Sequence, residues 1–426
     1  VSHPLHDENV ASASNRGVLF VSGGNRGAYG RACAEQGAVA EPARNHIAFF
    51  DGLRGIAVLL VVAYHLHERG LMPDPMPIAG SWAMLVPWPF LGGVLGVEIF
   101  FFLSGLVLFL PYARHLIEGR PRPAIGHFYL RRSLKIVPSY VVALLAIALT
   151  APAEVPAGES LTQHVLLHLF FLHGFYPNAF ASIIGPLWSL AVEVEFYVLF
   201  PLIVAIWLRN VWLGAVLMFA VSAIYRIHME QTGLAGWFWN SYQLPGFLNL
   251  FAAGMLSAYL YTLARHRNWW FTTRPWISAG VAAVALVLFY ALFRDLIQQP
   301  GGPGWWTWQN NHRDIVAGLL SVAAIFGPFG AEAATEVIAN PVTQFLADIS
   351  YNLYLWNKPL IIFFTATVAA RGGWHAGSAL GIVAVFGVCV AVAWFFTFFV
   401  ERPFLERGWA VLPPIAALQR RIAARA

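Results

Sequence analysis

Two cysteines in 426 residues, Cys33 and Cys389, supply neither a disulfide framework nor a cysteine-based metal cluster. Lysine is scarce as well: among 26 basic residues only Lys135 and Lys358 are lysine. Charged residues make up 11% of the chain, less than half of the roughly 25% found in soluble domains. That deficit excludes a water-soluble globular protein. What is abundant is apolar: 58% of the residues are hydrophobic, gathered in runs long enough to cross a bilayer. The formal charge of +5 rests on arginines concentrated in loops, which points to orientation at a membrane rather than to a nucleic-acid partner.

Apolar windows of spanning length fall near 52–72, 87–111, 134–151, 186–208, 211–229, 244–264, 276–294, 313–333, 344–368 and 376–400. The expected fold is therefore all-α, a polytopic transmembrane bundle of about ten spans. A further segment, HVLLHLFFLHGF at 164–175, is apolar but short. If it does not cross, one side of the membrane collects Arg114, Arg120, Arg122, Arg131, Arg132, Lys135, Arg209, Arg265, Arg267, Arg274 and the C-terminal arginines. The other side keeps Arg69, Arg226, Arg294, Arg313 and Arg371. The positive-inside rule then places both termini in the cytoplasm and makes 164–175 re-entrant or interfacial. Three regions follow: a polar, flexible tail at 1–44, a membrane domain at 45–405 and a basic cytoplasmic tail at 406–426. Within the first tail, VLFVSGGNRGAYGRACAEQGA faintly resembles the nucleotide turn of short-chain dehydrogenases, but its glycine spacing carries an extra residue and no parallel-sheet pattern follows. It is rejected as a binding site.

Arg54 and His65 stand eleven positions apart in FFDGLRGIAVLLVVAYHL. At 100° per residue they share one helix face, with the imidazole about 16 Å deeper than the guanidinium. An imidazole near mid-membrane is a functional candidate by default, although a packed histidine and a topology-anchoring arginine are the plain alternative. His67 falls on the opposite face. Glu98 in the second span and Glu193 in the fourth reach similar depths and are expected to converge on the imidazole, where a carboxylate would orient it; interhelical hydrogen bonding is the competing role. Glu195 points elsewhere.

Arg131, Arg132 and Lys135, in HFYLRRSLKIVPSY, could dock phosphate groups or simply mark topology. Tyr351, Asn357 and Lys358 interrupt the ninth span just before Pro359, which predicts a polar cavity beside that break; Tyr351 and Asn357, with Trp188 of the fourth span, are candidate substrate contacts. His164 and His168 are spaced for metal, but no carboxylate or cysteine accompanies them, so packing is expected and no metal is assigned. Trp305, Trp306 and Trp308 fall in the longest outer loop and read as an interfacial aromatic belt.

Five stretches, FFDGLRGIAVLLVVAYHL, GVEIFFFLSGLVLF, HFYLRRSLKIVPSY, GPLWSLAVEVEFYVLFPL and ISYNLYLWNKPL, with VERPF as a weaker sixth, resemble in order the bacterial integral-membrane acyltransferase 3 family. The resemblance covers about residues 47 to 405. It implies a ten-helix bundle that takes an acyl group from cytosolic acyl-coenzyme A and passes it to a hydroxyl of a carbohydrate, lipid-linked sugar or secreted metabolite. The family's signature, a basic residue, ten intervening residues and a histidine, falls on Arg54 and His65. Some members carry a fused SGNH hydrolase-like domain, which is not seen in this sequence. The ninth-span motif usually reads Leu-Trp-His, whereas Asn357 follows Trp356 here, which puts any role of that second histidine in doubt.

The expected function is O-acyl transfer, with acetyl the leading candidate, in the bacterial inner membrane. His65 would act as general base toward the acceptor, a role that contributes about 10²- to 10⁴-fold; an acyl-histidine relay is a variant. Arg54 would hold cofactor phosphate or developing charge, Arg131, Arg132 and Lys135 the coenzyme phosphates, and Glu98 and Glu193 would orient imidazole or acceptor. Acyl-coenzyme A enters as donor substrate and no permanently bound cofactor is expected. The rivals are a transporter of a glycan or lipid intermediate, which leaves the Arg54–His65 register unexplained, and a membrane sensor.

Overall fold

The computed structural model describes residues 47–71, 93, 95–150, 155–297, 303–371 and 379–411. The N-terminal tail with its glycine-rich stretch, and most of the C-terminal tail, lie outside them. Among the described residues there are helices and no strand. The long helices are α1 (Ala48–Glu68), α2 (Leu95–Glu118) and α3 (Ile125–Thr150), then, after a short α4 (Leu161–Leu169), α5 (Leu187–Arg209), α6 (Val211–Gln231), α7 (Leu244–His266), α8 (Pro275–Ile297), α9 (Pro303–Phe326), α10 (Pro341–Arg371) and α11 (Ala379–Phe396). Nine helices among the described residues are long and apolar enough to cross a membrane. The expected span missing from these nine is the ninth, the 31-residue α10, whose apolar character is diluted by Asn352, Asn357 and Lys358.

Close helix contacts are made where side chains are missing. A Cβ on Gly105 of α2 would lie 2.2 Å from the Phe251 carbonyl oxygen, and one on Gly254 of α7 would lie 2.0 Å from that of Phe102, so these two backbones touch directly. Gly52 and Gly55 of α1 likewise leave no room before the carbonyls of Ile338, just ahead of α10, and Thr343, in its first turn. Asn340 caps α10 by accepting from the backbone N–H groups of Val342 and Thr343, with Pro341 in the first position. The other end of α1 closes in a Schellman motif: Gly70 takes a φ of 70°, its N–H reaches the His67 carbonyl, the Leu71 N–H reaches Leu66, and the Leu71 side chain is buried.

Arg54 meets Ala347 and Ser350 of α10, and His65 meets Asn357, so α1 and α10 run parallel, as a first and a ninth span must. The nine residues of α4 rise only about 13 Å, too short for a roughly 30 Å hydrocarbon core. Parity and length agree that α4 does not cross.

Two helix starts correct the sequence expectation. The helix α3 begins at Ile125 rather than near 134, because Phe128 packs on Tyr197 and Phe200 and the Arg132 guanidinium lies 5.3 Å from the Tyr197 ring centroid. The helix α9 begins at Pro303, so the expected tryptophan loop is its first turns. Trp308 is buried and donates to Asp295, and Trp306 packs on Phe238. Polar residues that ended the apolar window, Gln309, Asn310 and Arg313, are buried against neighbouring helices.

Candidate functional site

The DGLRG sequence places Arg54 between two glycines, and the close approach they permit lets the guanidinium reach α10. Arg54 Nε donates to Ser350 Oγ at 2.9 Å and Nη2 to the Ala347 carbonyl at 2.8 Å. Two of its five donors are thereby used to fix the side chain, and the remainder are available for a ligand.

Three turns on, His65 is 6% exposed and its Nδ1 lies 2.5 Å from Asn357 Oδ1. The amide orientation is set independently, since Asn357 Nδ2 donates to the carbonyls of Leu353 and Tyr354 at 2.8 and 2.9 Å. Its oxygen must therefore accept, Nδ1 must carry the proton, and a neutral imidazole keeps its lone pair on Nε2. That is the tautomer a general base requires. Asn357, the residue that follows Trp356 in the ninth-span motif, thus presents its amide oxygen to the imidazole.

The two carboxylates do not converge on the imidazole as expected. Glu193 accepts from Ser104 Oγ at 2.5 Å and from the Tyr197 hydroxyl, tying α5 to α2. Glu98, 2% exposed, pairs at 3.4 Å with Arg313, a residue that sequence reading assigned to an outer loop. Arg313 is fully buried, donates to the carbonyls of Gly246 and Ser241, and lies 3.8 Å from the centroid of the Phe247 ring. Beside it Arg226, also expected in a loop, is buried in α6 and bonds Asp314 and the Asn310 carbonyl. Their signal in the sequence was a set of charges inside helix-length stretches, which a loop count absorbs as topology.

At the Arg54 end, Arg131 is exposed and Arg132 half-buried. Lys135 is not free: its ammonium pairs with Glu401, the acid of VERPF, whose other oxygen accepts from Asn352 Nδ2 at 2.9 Å. A π-helical turn, Thr397–Glu401, carries that carboxylate, and the Asn352 amide also reaches Thr397. Tyr351 donates to the Ile136 carbonyl at 2.8 Å, and the Lys135 ammonium lies 6.0 Å from its ring centroid, so Tyr351 and Lys135 belong to this end of the site. Trp188 is 7% exposed within a ring cluster, edge-on to Tyr242 at 4.6 Å and packed on Phe101 and Phe247; it is a core residue, not an open platform.

The histidines of α4 form a separate cluster. His164 bonds Ser182 at 2.8 Å and, contrary to expectation, has a carboxylate beside it, Glu159 at 2.6 Å. The rings of His168 and His173 stack 4.0 Å apart, and burial lowers their pKa values to about 3 and about 4, so both are neutral. No group of three or more metal-ligating side chains is present among the described residues.

A family profile described as an acyltransferase domain matches residues 47–398. A peptidoglycan O-acetyltransferase of Listeria monocytogenes, OatA, is 24% identical over 76% of this chain and 50% of its own length. The exopolysaccharide production protein ExoZ of Rhizobium meliloti is 25% identical over 75% of this chain and 91% of its own length. The chain spans about half the length of the Staphylococcus aureus and Listeria relatives that it matches. No solved structure matches it.

Proposed function

The chain belongs to this acyltransferase family, and we propose that it is an O-acyltransferase of the bacterial inner membrane that moves an acyl group, in the first instance acetyl, from cytosolic acyl-coenzyme A to a hydroxyl of a carbohydrate, lipid-linked sugar or secreted metabolite. The observation that carries this reading is the His65–Asn357 pair, which leaves imidazole Nε2 as a base about 16 Å from a guanidinium with donors to spare. A transporter needs no fixed tautomer.

In this reading both termini lie in the cytoplasm and the donor approaches the Arg54 end. Arg131 and Arg132 attract its phosphates, and Arg54 holds phosphate, so that the acyl end of the donor reaches past it toward the imidazole. His65 Nε2 removes the acceptor hydroxyl proton as the oxygen attacks the thioester carbon; the thiolate leaves, and the proton passes from imidazolium to the leaving sulfur or to solvent. Lys135, neutralised by Glu401, fixes the floor of the donor site and adds little net charge. Glu193 holds Ser104 and Tyr197 in place, and Glu98 serves the Arg313 pair.

The test is transfer by purified protein in nanodiscs, with radiolabelled acetyl-coenzyme A and a panel of hydroxyl acceptors, water included. Label released to water or carried to an acceptor supports the reading. Coenzyme neither bound nor consumed by folded protein removes it.

A further inference from the structure

Resting on the acyl-transfer reading, we infer that Glu68 and Lys358 form the subsite that binds the acceptor, and that this subsite selects neutral, polyhydroxylated acceptors of the carbohydrate class. The two residues stand one step past the imidazole pair on the same two helices: Glu68 lies three residues beyond His65 on α1, and Lys358 follows Asn357 on α10. Their carboxylate and ammonium are 2.9 Å apart. The side chains are 34% and 17% exposed, whereas His65 beneath them is 6% exposed. Leaving the imidazole away from Arg54, the seam passes from a buried base to a partly open ion pair.

The loop ahead of α5 is shaped to the lysine. A Cβ on Gly185 would lie 3.3 Å from Lys358 Nζ, so the missing side chain leaves the ammonium its space, and Ile183 two residues earlier is held at a φ of 60°. Both ends of the ion pair are thus positioned at the far side of the base from the donor arginines.

Stability does not account for the pair. A partly exposed lysine–carboxylate bridge contributes about 0 to 1 kcal/mol, while α1 and α10 are already joined by the glycine contacts and the buried Asn357 bond. Its chemistry suits neutral hydroxyls. A carboxylate and an ammonium side by side offer an acceptor and a donor, and adjacent hydroxyls on one sugar present the complementary set without adding charge. An anionic acceptor would face the Glu68 carboxylate.

The experiment compares wild type, Glu68→Ala, Lys358→Ala and the exchanged Glu68→Lys/Lys358→Glu protein in nanodiscs, using acetyl-coenzyme A with neutral trisaccharides and their uronate counterparts. Wild type is expected to use a neutral trisaccharide best. Each single variant should raise KM for it about tenfold or more, the loss of one charge-assisted contact, while KM for acetyl-coenzyme A stays within about twofold. The exchanged variant should keep the wild-type melting temperature yet not recover acceptor KM, which a purely structural bridge would. Unchanged acceptor KM in folded variants overturns the subsite, and preference for a uronate, or hydrolysis without transfer to any neutral sugar, overturns the acceptor class. Failure of both hydrolysis and coenzyme binding in wild type would instead remove the acyl-transfer reading.

Discussion

Two seams in this bundle each hold an arginine and a buried titratable partner, and they are built to opposite ends. Between α2, α7 and α9, Glu98 and Arg313 neutralise each other, and Arg313 donates further to two carbonyls above a phenylalanine face. Between α1 and α10, Arg54 and His65 are kept three turns apart, each anchored by a neutral partner, Ser350 or Asn357, that leaves its chemistry unspent. Opposite charges in contact make a clamp. Polar groups separated by a helix repeat, and held by uncharged neighbours, remain able to react.

The largest expected effect tests that contrast directly. His65→Ala should lower transfer by about 10²- to 10⁴-fold with a melting temperature near wild type, since the residue is oriented by one neutral bond. Arg313→Met should do the reverse, because an uncompensated buried Glu98 costs about 3 to 5 kcal/mol; whatever protein folds should retain turnover per molecule. Differential scanning fluorimetry alongside a transfer assay reads both. A His65→Ala protein that melts early but turns over normally would dissolve the distinction.

Next in size is the orienting amide. Asn357→Leu removes the acceptor for Nδ1–H and frees the imidazole to take the wrong tautomer, so kcat should fall about 10- to 100-fold while KM for acetyl-coenzyme A holds. Asn357→Asp keeps an acceptor and should retain more activity than the leucine variant. Equal activity in both would show that the tautomer is not set here. A smaller effect is expected from Arg131→Ala with Arg132→Ala: the double variant should raise the coenzyme KM several-fold at low ionic strength and converge on wild type as salt increases, because exposed guanidinium–phosphate attraction is screened within about 10 Å at 0.1 M.

The last effect concerns acid. His168 and His173 have folded-state pKa values lowered by burial to about 3 and about 4, so below the unfolded value of about 6.5 the unfolded chain binds more protons than the native one. Stability should be full above that pH and decline steadily from it toward pH 4. Thermal melts of wild type and His168→Gln across this window should show a shallower decline in the variant; parallel curves would place the sensitivity elsewhere.

The Arg54–His65 face was legible because helical periodicity and an apolar background leave few ways to hide two polar residues. The span count was legible for the same reason, and α4 was separable by length. What sequence periodicity could not supply was partnership across helices. Glu98 and Glu193 had the right depth for the imidazole, but depth says nothing about which neighbour stands at that azimuth, and Arg313 and Ser104 did. Lys135 looked available because its acid, Glu401, lies 266 positions away. Arg226, Arg313 and the tryptophans of α9 were assigned to loops because hydropathy windows treat any buried polar stretch as solvent-exposed.

Proline has no amide hydrogen, so the Leu355 carbonyl in α10 lacks its usual helical partner at Pro359, directly after the Asn357 and Lys358 positions. The helix runs on through this position as a single element, Pro341–Arg371, so the carbonyl without a helical partner lies inside it, two residues before the amide that holds His65. One backbone acceptor is thus left over within a turn of the imidazole's partner, a polar atom whose need for a hydrogen bond the helix itself does not meet.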